Sequence, residues 1–146
     1  MKKGSRHKAR EAAVQALYQW QLTQQAPEQI ENHFILDHEM NGVDLEYFHH
    51  LVREVPRHLH ELDDHIIPHL DRDLAEVDPV ERAILRLGAY EFEFQPEIPY
   101  KVILNEAVEL AKTFGAEHGH KYVNAILDKV AAALRAKEVA AAHSSA

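Results

Sequence analysis

The amino-acid sequence predicts an all-α fold. Three observations carry that reading. Apolar residues recur at three-and-four spacing along most of the chain. Capping residues stand where these periodic runs begin and end. No segment alternates with period two for long enough to make a strand, and residues 90–94, which allow one when read alone, follow helical residues without a break. Composition agrees, with 5 Gly and 6 Pro in 146 residues.

The first helix runs from about Arg6 to Gln24, with Ala9, Ala13, Ala16, Leu17 and Trp20 on one side. Ala26-Pro27 ends it, and Pro27 opens a shorter helix carrying Ile30, Phe34 and Ile35. Asn41-Gly42 is a turn pair, and Asp44 is a good N-cap for a third helix. Its stripe of Phe48, Leu51, Val52, Val55, Leu59, Leu62 and Ile66 stays in register past Pro56, which favours a kink there over a split. Asp78-Pro79 joins an N-cap to a first-turn proline and opens a helix with Val80, Ile84, Leu87 and Tyr90. Pro99 opens another, through Val102, Ile103, Ala107, Leu110 and Phe114, with Gly115 as its C-terminal cap. The last helix runs from about His118 to Ala136 on Val123, Leu127, Val130 and Leu134. Residues 138–146, an Ala/Ser tail without apolar period, are expected to be disordered, leaving residues 1–137 as the folded domain.

Composition removes several function classes. No apolar run approaches the roughly 20 residues of a membrane span, and no apolar stretch follows the charged N-terminus as a secretory signal requires. Zero cysteines exclude a disulfide framework, thiolate zinc ligation and a cysteine nucleophile, so a cytoplasmic location is the economical reading. Twelve histidines invite a metal site. His65 and His69 share a spacing of four but flank Pro68, while His60 and His65 stand five apart, which turns the second imidazole away from the first. Solvated helix-face histidines are the simpler account. Gly-rich phosphate loops and nucleophile elbows are missing, and the acidic pairs, such as Asp63-Asp64, suggest no acid and base roles. A non-enzyme without metal or cofactor is expected.

Charge is more informative. The chain carries -8, yet residues 1–10 hold Lys2, Lys3, Arg6, Lys8 and Arg10 with no acid, a local +5 against -13 over the remaining 136 residues. Arg6 and Arg10 repel each other at this spacing by roughly 0.2–0.5 kcal/mol. Cations at a helix N-terminus also oppose the macrodipole, at roughly 0.3–1 kcal/mol. A local cost without structural return points to a polyanion contact, and arginine can both grip phosphate and stack on bases.

Arg6-His7-Lys8-Ala9-Arg10-Glu11 through Val14-Gln15-Ala16-Leu17-Tyr18 resembles the opening of the NusB family of bacterial transcription antitermination factors. Val80-Glu81-Arg82-Ala83-Ile84-Leu85-Arg86 with Tyr90-Glu91 resembles its middle. More specific are Ile98-Pro99-Tyr100-Lys101-Val102, Asn105-Glu106-Ala107-Val108-Glu109-Leu110-Ala111-Lys112 and Phe114-Gly115. His120-Lys121-Tyr122-Val123-Asn124 with Leu127-Asp128-Lys129 completes a series that runs in order across residues 6 to about 130.

The resemblance implies a compact domain of two small helical bundles, with about six to seven helices on the spacing above. It implies pairing with NusE, a small-subunit ribosomal protein, and binding of single-stranded boxA RNA in nascent ribosomal RNA transcripts. The RNA polymerase antitermination complex then reads through terminators. Carried over by residue, RNA contact falls on Lys2, Lys3, Arg6, His7 and Arg10, and on His118, Lys121, Tyr122 and Asn124. Tyr122 either stacks on a base or packs in the core beside Ile126, its spacing allowing both. NusE contact falls on Tyr18, Glu81 and Glu76, acids complementing a basic ribosomal protein. His7 and Lys8 replace a more arginine-rich stretch of the family, and His118 stands where an acid is common, so phosphate is repelled less, especially at lower pH. Some members form homodimers that hide binding surface. The same fold precedes ribosomal RNA cytosine methyltransferases, but this sequence has no cysteine, and no cofactor-binding domain is expected. The remaining rivals are a metal-dependent hydrolase and, more strongly, a protein-binding adaptor without RNA contact.

Overall fold

A computed structural model of the chain describes residues 4–144. Among them are eight α-helices: α1 (Arg6–Thr23), α2 (Pro27–Asp37), α3 (Leu45–Arg57), α4 (Leu59–Ile66), α5 (Pro79–Phe94), α6 (Tyr100–Phe114), α7 (Gly119–Leu134) and α8 (Ala136–Ser144). Two 3-10 turns, Ile67–His69 and Leu74–Glu76, connect α4 to α5. The all-α expectation holds: extended pairing among the described residues is limited to one isolated bridge, Ser5 to Val43. The chain divides into two compact units, residues 1–58 and 59–146.

The division falls where Pro56 was expected only to kink a helix. Pro56 has no N–H to give the Val52 carbonyl, and α3 closes one residue later, at Arg57. His58 then leaves helical geometry, at φ -106° and ψ 23°, before α4 begins. The stripe stays buried on both sides, from Phe48 and Leu51 to Leu62 and Ile66.

In the first unit α1 packs on α3, and α2 packs on both. Ala9, Ala13, Ala16 and Leu17 of α1 meet a core that also includes Ile30, Phe34, Phe48 and Val55. Alanines on α1 let the helices approach closely, and Phe34 and Phe48 fill the space at a ring separation of 5.4 Å. Ile35 does not join this core; it and Leu36 are exposed. Glu31 is nearly enclosed between α2 and α3, accepting from His49 Nδ1 at 2.7 Å and Arg53 Nε at 2.8 Å.

In the second unit α5, α6 and α7 pack mutually, α4 lies on α5, and α8 lies on α7. Asp78 caps α5 as its sequence suggests, accepting from the backbone N–H groups of Val80 and Glu81 at 2.9 and 3.2 Å. Gly88 permits the close approach of α5 to α7, since a Cβ there would sit 2.8 Å from Leu127 Cδ1. Arg86 grips Asp63 of α4 with two bonds of 2.9 and 3.0 Å. His65 pairs with Glu93 at 2.9 Å and His49 with Glu31, so these two histidines have packing partners and are not simply solvated.

The C-terminal residues depart from expectation. Ala136–Ser144 form a helix, so residues 138–144 of the tail expected to be disordered are helical. Its anchor is Arg135, whose side chain is 9% exposed and donates to the carbonyls of Phe92, Gln95 and Ile98 at 2.7, 3.0 and 3.0 Å. A fourth bond reaches the Glu91 carbonyl at 3.3 Å, so the guanidinium gathers carbonyls from the last turn of α5 and the loop that follows it. Glu138 meets Arg135 at 2.6 Å and accepts the Tyr100 backbone N–H at 2.8 Å, capping α6 in place of the missing side-chain cap at Pro99. The break at His58 and this added helix account for eight helices where six to seven were expected.

Candidate nucleic-acid interface

Each unit carries one group of candidate residues. In the first, the start of α1 is tied to the turn before α3. Ser5 caps α1 by accepting the Lys8 backbone N–H at 3.1 Å. Its own N–H donates to the Gly42 carbonyl at 2.7 Å, and its carbonyl accepts from Asp44 at 3.1 Å. Gly42, at φ +79°, provides the left-handed turn expected of Asn41-Gly42. Gly4 admits the passing strand of backbone, since a Cβ there would lie 2.2 Å from the carbonyl carbon of Val43. The basic segment therefore leaves a fixed point.

Arg6 and Arg10 converge on one ring. The Arg6 guanidinium carbon is 4.1 Å from the centroid of Tyr47, and that of Arg10 is 5.4 Å away. The negative ring face offsets the repulsion between two cations four residues apart. Tyr47 is held in place because Asp44 Oδ1 caps α3 by accepting the Tyr47 backbone N–H at 3.1 Å, fixing the first turn. Arg6, His7 and Lys8 are exposed, whereas Arg10 is buried at 4% exposure. Arg10 is thus not the exposed cation that the charge pattern suggested. His7 lies 3.6 Å from Glu11, within the basic segment. Lys2 and Lys3 lie outside the described residues.

In the second unit the start of α7 carries His118, Lys121, Tyr122 and Asn124. His118 is the N-cap residue at φ +68°, a left-handed conformation that histidine, asparagine and aspartate adopt more readily than most side chains. It is exposed, as are Lys121 and Asn124. Tyr122 is half-buried; neither alternative drawn from its spacing describes it fully. Its hydroxyl donates to Asp71 Oδ1 at 3.2 Å, and Arg72 covers its ring at 4.7 Å. Burial raises the Tyr122 phenol above its ordinary value, with Arg72 opposing. The Arg72 bond holds the Asp71 carboxyl below its ordinary value.

Of the residues expected to meet a partner protein, Tyr18 is half-buried and Glu76 exposed. Glu81 is buried, at 7% exposure, beneath the first residue of α7. A Cβ on Gly119 would come within 2.5 Å of its Oε2, so only glycine leaves room for the carboxylate. Burial raises the Glu81 carboxyl above its ordinary value, Asp78 adding to the effect and Arg72 opposing it. An acid held at a cost to folding is a candidate for a partner's cation.

Sequence reading missed Tyr47 and Arg72. Tyr47 stands four residues before Leu51, a spacing that places both on the buried face of α3. Arg72 lies outside every α-helix, and no local pattern places it on Tyr122, fifty residues away. Among the described residues no three His, Asp or Glu side chains gather as a metal site. No helix there is long and apolar enough to cross a membrane.

The NusB family profile matches residues 7–132. Transcription antitermination protein NusB of Nitrosococcus oceani is 59% identical over 133 residues, covering 91% of this chain and 89% of that protein. Its counterpart from Histophilus somni strain 129Pt is 53% identical, covering 90% and 93%. Among solved structures, T. maritima NusB superposes with a TM-score of 0.78 at 30% identity, covering 89% of this chain and 92% of that one. A structure of antitermination factors NusB and NusE in complex with dsRNA also gives 0.78 at 30% identity, covering 88% and 96%. With the profile matching most of the chain, from residue 7 to residue 132, this chain belongs to the NusB family.

Proposed function

We propose that the chain is a cytoplasmic, non-catalytic transcription antitermination factor. It binds single-stranded boxA-type RNA of nascent ribosomal RNA transcripts together with ribosomal protein NusE. The pair joins the RNA polymerase complex that reads through terminators. The observation that carries this reading is the pairing of Arg6 and Arg10 on Tyr47 at a tethered helix start, in a chain of this family.

Arg6, exposed and aligned on a ring, presents its guanidinium to phosphate with little orientational freedom left to lose. Arg10 acts from below the surface, fixing Tyr47 and adding positive potential; Lys2, Lys3 and His7 extend the charge. At the other group Lys121 neutralises phosphate, Tyr122 offers a ring for stacking and Asn124 a base-edge hydrogen bond. His118 leaves out the negative charge an acid would bring to this end of α7. Tyr18, Glu76 and Glu81 serve NusE, the acids facing a basic protein. Homodimerisation through the same surfaces would compete with both partners.

Fluorescence anisotropy with a boxA-like RNA, with and without NusE, tests this directly. Expected is sequence-selective binding that NusE tightens and salt weakens, at about -0.7 per neutralised phosphate in the log–log slope. A scrambled strand and a duplex are the controls. Salt-independent or absent RNA association, with NusE still bound, would assign the chain to protein contact alone.

A further inference from the structure

We propose that Arg72 is a further RNA-contacting residue, stored on Tyr122 by Asp71 in the free protein and transferred to a phosphate of the bound strand. This rests on the RNA-binding reading above. Arg72 lies between the two 3-10 turns, with its guanidinium carbon 4.7 Å from the centre of the Tyr122 ring. Asp71 takes its Nε and Nη2 at 2.8 and 3.1 Å, and also takes the Tyr122 hydroxyl at 3.2 Å. One carboxylate thus holds both the cation and the ring it covers.

As a stabilising device this arrangement returns little. Asp71 and Arg72 side chains are 67% and 43% exposed, and ion pairs so placed contribute little to folding. As a binding device it has three useful properties. The fork that fits the two carboxylate oxygens also fits two phosphate oxygens, so a phosphate can replace Asp71 without rebuilding the geometry. Only two of the five guanidinium N–H donors are used by Asp71, and no other protein acceptor for Arg72 occurs among the described residues. The ring beneath it is the one positioned for a base, so departure of Arg72 toward phosphate uncovers a stacking face in the same step. Asp71 meanwhile keeps the fork occupied against stray anions, which favours a strand that offers phosphate and base together.

The test measures RNA affinity and its salt slope for the full chain and the variants Arg72→Ala, Arg72→Lys and Asp71→Asn. Removing Arg72 is expected to weaken binding about 5- to 10-fold at low salt and to reduce the slope by about 0.7. Arg72→Lys should keep the slope but recover only part of the affinity, lacking the fork. Asp71→Asn should tighten binding by releasing the guanidinium. Wild-type binding that Arg72→Ala leaves unchanged in affinity and slope would overturn this proposal alone. So would a loss confined to NusE binding, which would make Arg72 part of a protein interface. No RNA binding by the wild-type chain would overturn the parent reading as well.

Discussion

Replacing Tyr47 by leucine separates charge from orientation at the α1 group. The substitution keeps Arg6 and Arg10 but removes the ring they share, at 4.1 and 5.4 Å. A cation–π contact is worth roughly 0.5–1 kcal/mol when exposed, as for Arg6, and about 2 when desolvated, as for buried Arg10. Part of that loss falls on folding, since Tyr47 is itself buried. The remainder, about 1–2 kcal/mol, is the orientation lost to RNA and corresponds to roughly a 5- to 30-fold weaker complex. Anisotropy titration at several salt concentrations reads both quantities, with circular dichroism confirming that the variant is folded. Affinity should fall while the salt slope stays unchanged, because no phosphate contact is removed. Tyr47→Phe, which keeps the ring, should bind nearly as wild type. A folded Tyr47→Leu variant within twofold of wild type would refute the claim that the ring aligns the arginines.

Two further predictions concern stability and partner choice. Arg135→Ala strands the carbonyls of Phe92 and Ile98, leaves that of Gln95 with the Ile98 N–H alone and releases Glu138, and should cost about 3 kcal/mol, or on the order of 10 °C in Tm, by urea and thermal denaturation; a loss under about 1 kcal/mol would show water replacing the guanidinium without penalty. The raised carboxyl of Glu81 gives folding a cost that is fully present above its folded value and is relieved as pH falls through it. Glu81→Gln should therefore raise Tm at neutral pH, lose that advantage on acidification, and weaken NusE binding; equal NusE affinity would remove Glu81 from the partner surface.

Much of the fold is legible locally. Asp44 and Asp78 cap the helices their positions suggest, and Asn41-Gly42 makes the left-handed turn. These devices act within three or four residues, so the sequence displays them whole. What sequence misjudges acts at longer range. The apolar spacing does not distinguish a kink at Pro56 from the end of a helix, since residues on both sides of it are buried whichever occurs. The helix after Arg135 has no strong apolar period of its own and depends on carbonyls some forty residues earlier. The candidate site divides in the same way. Its cations and aromatic residue are visible as residue types at helix starts, but the burial of Arg10 and Glu81, and the placement of Tyr47 and Arg72, arise only when separate elements meet.

We propose that the pair Arg6 and Arg10 makes this chain an RNA adaptor for NusE, and the decisive experiment titrates boxA-like RNA with the wild-type chain and with Arg6→Ala/Arg10→Ala, each with and without NusE. NusE-enhanced binding is expected of the wild type. A sharp loss and a shallower salt slope are expected of the variant, with NusE binding retained. Equal RNA affinity of wild type and variant at both salts, or RNA affinity indifferent to NusE, would contradict this proposal.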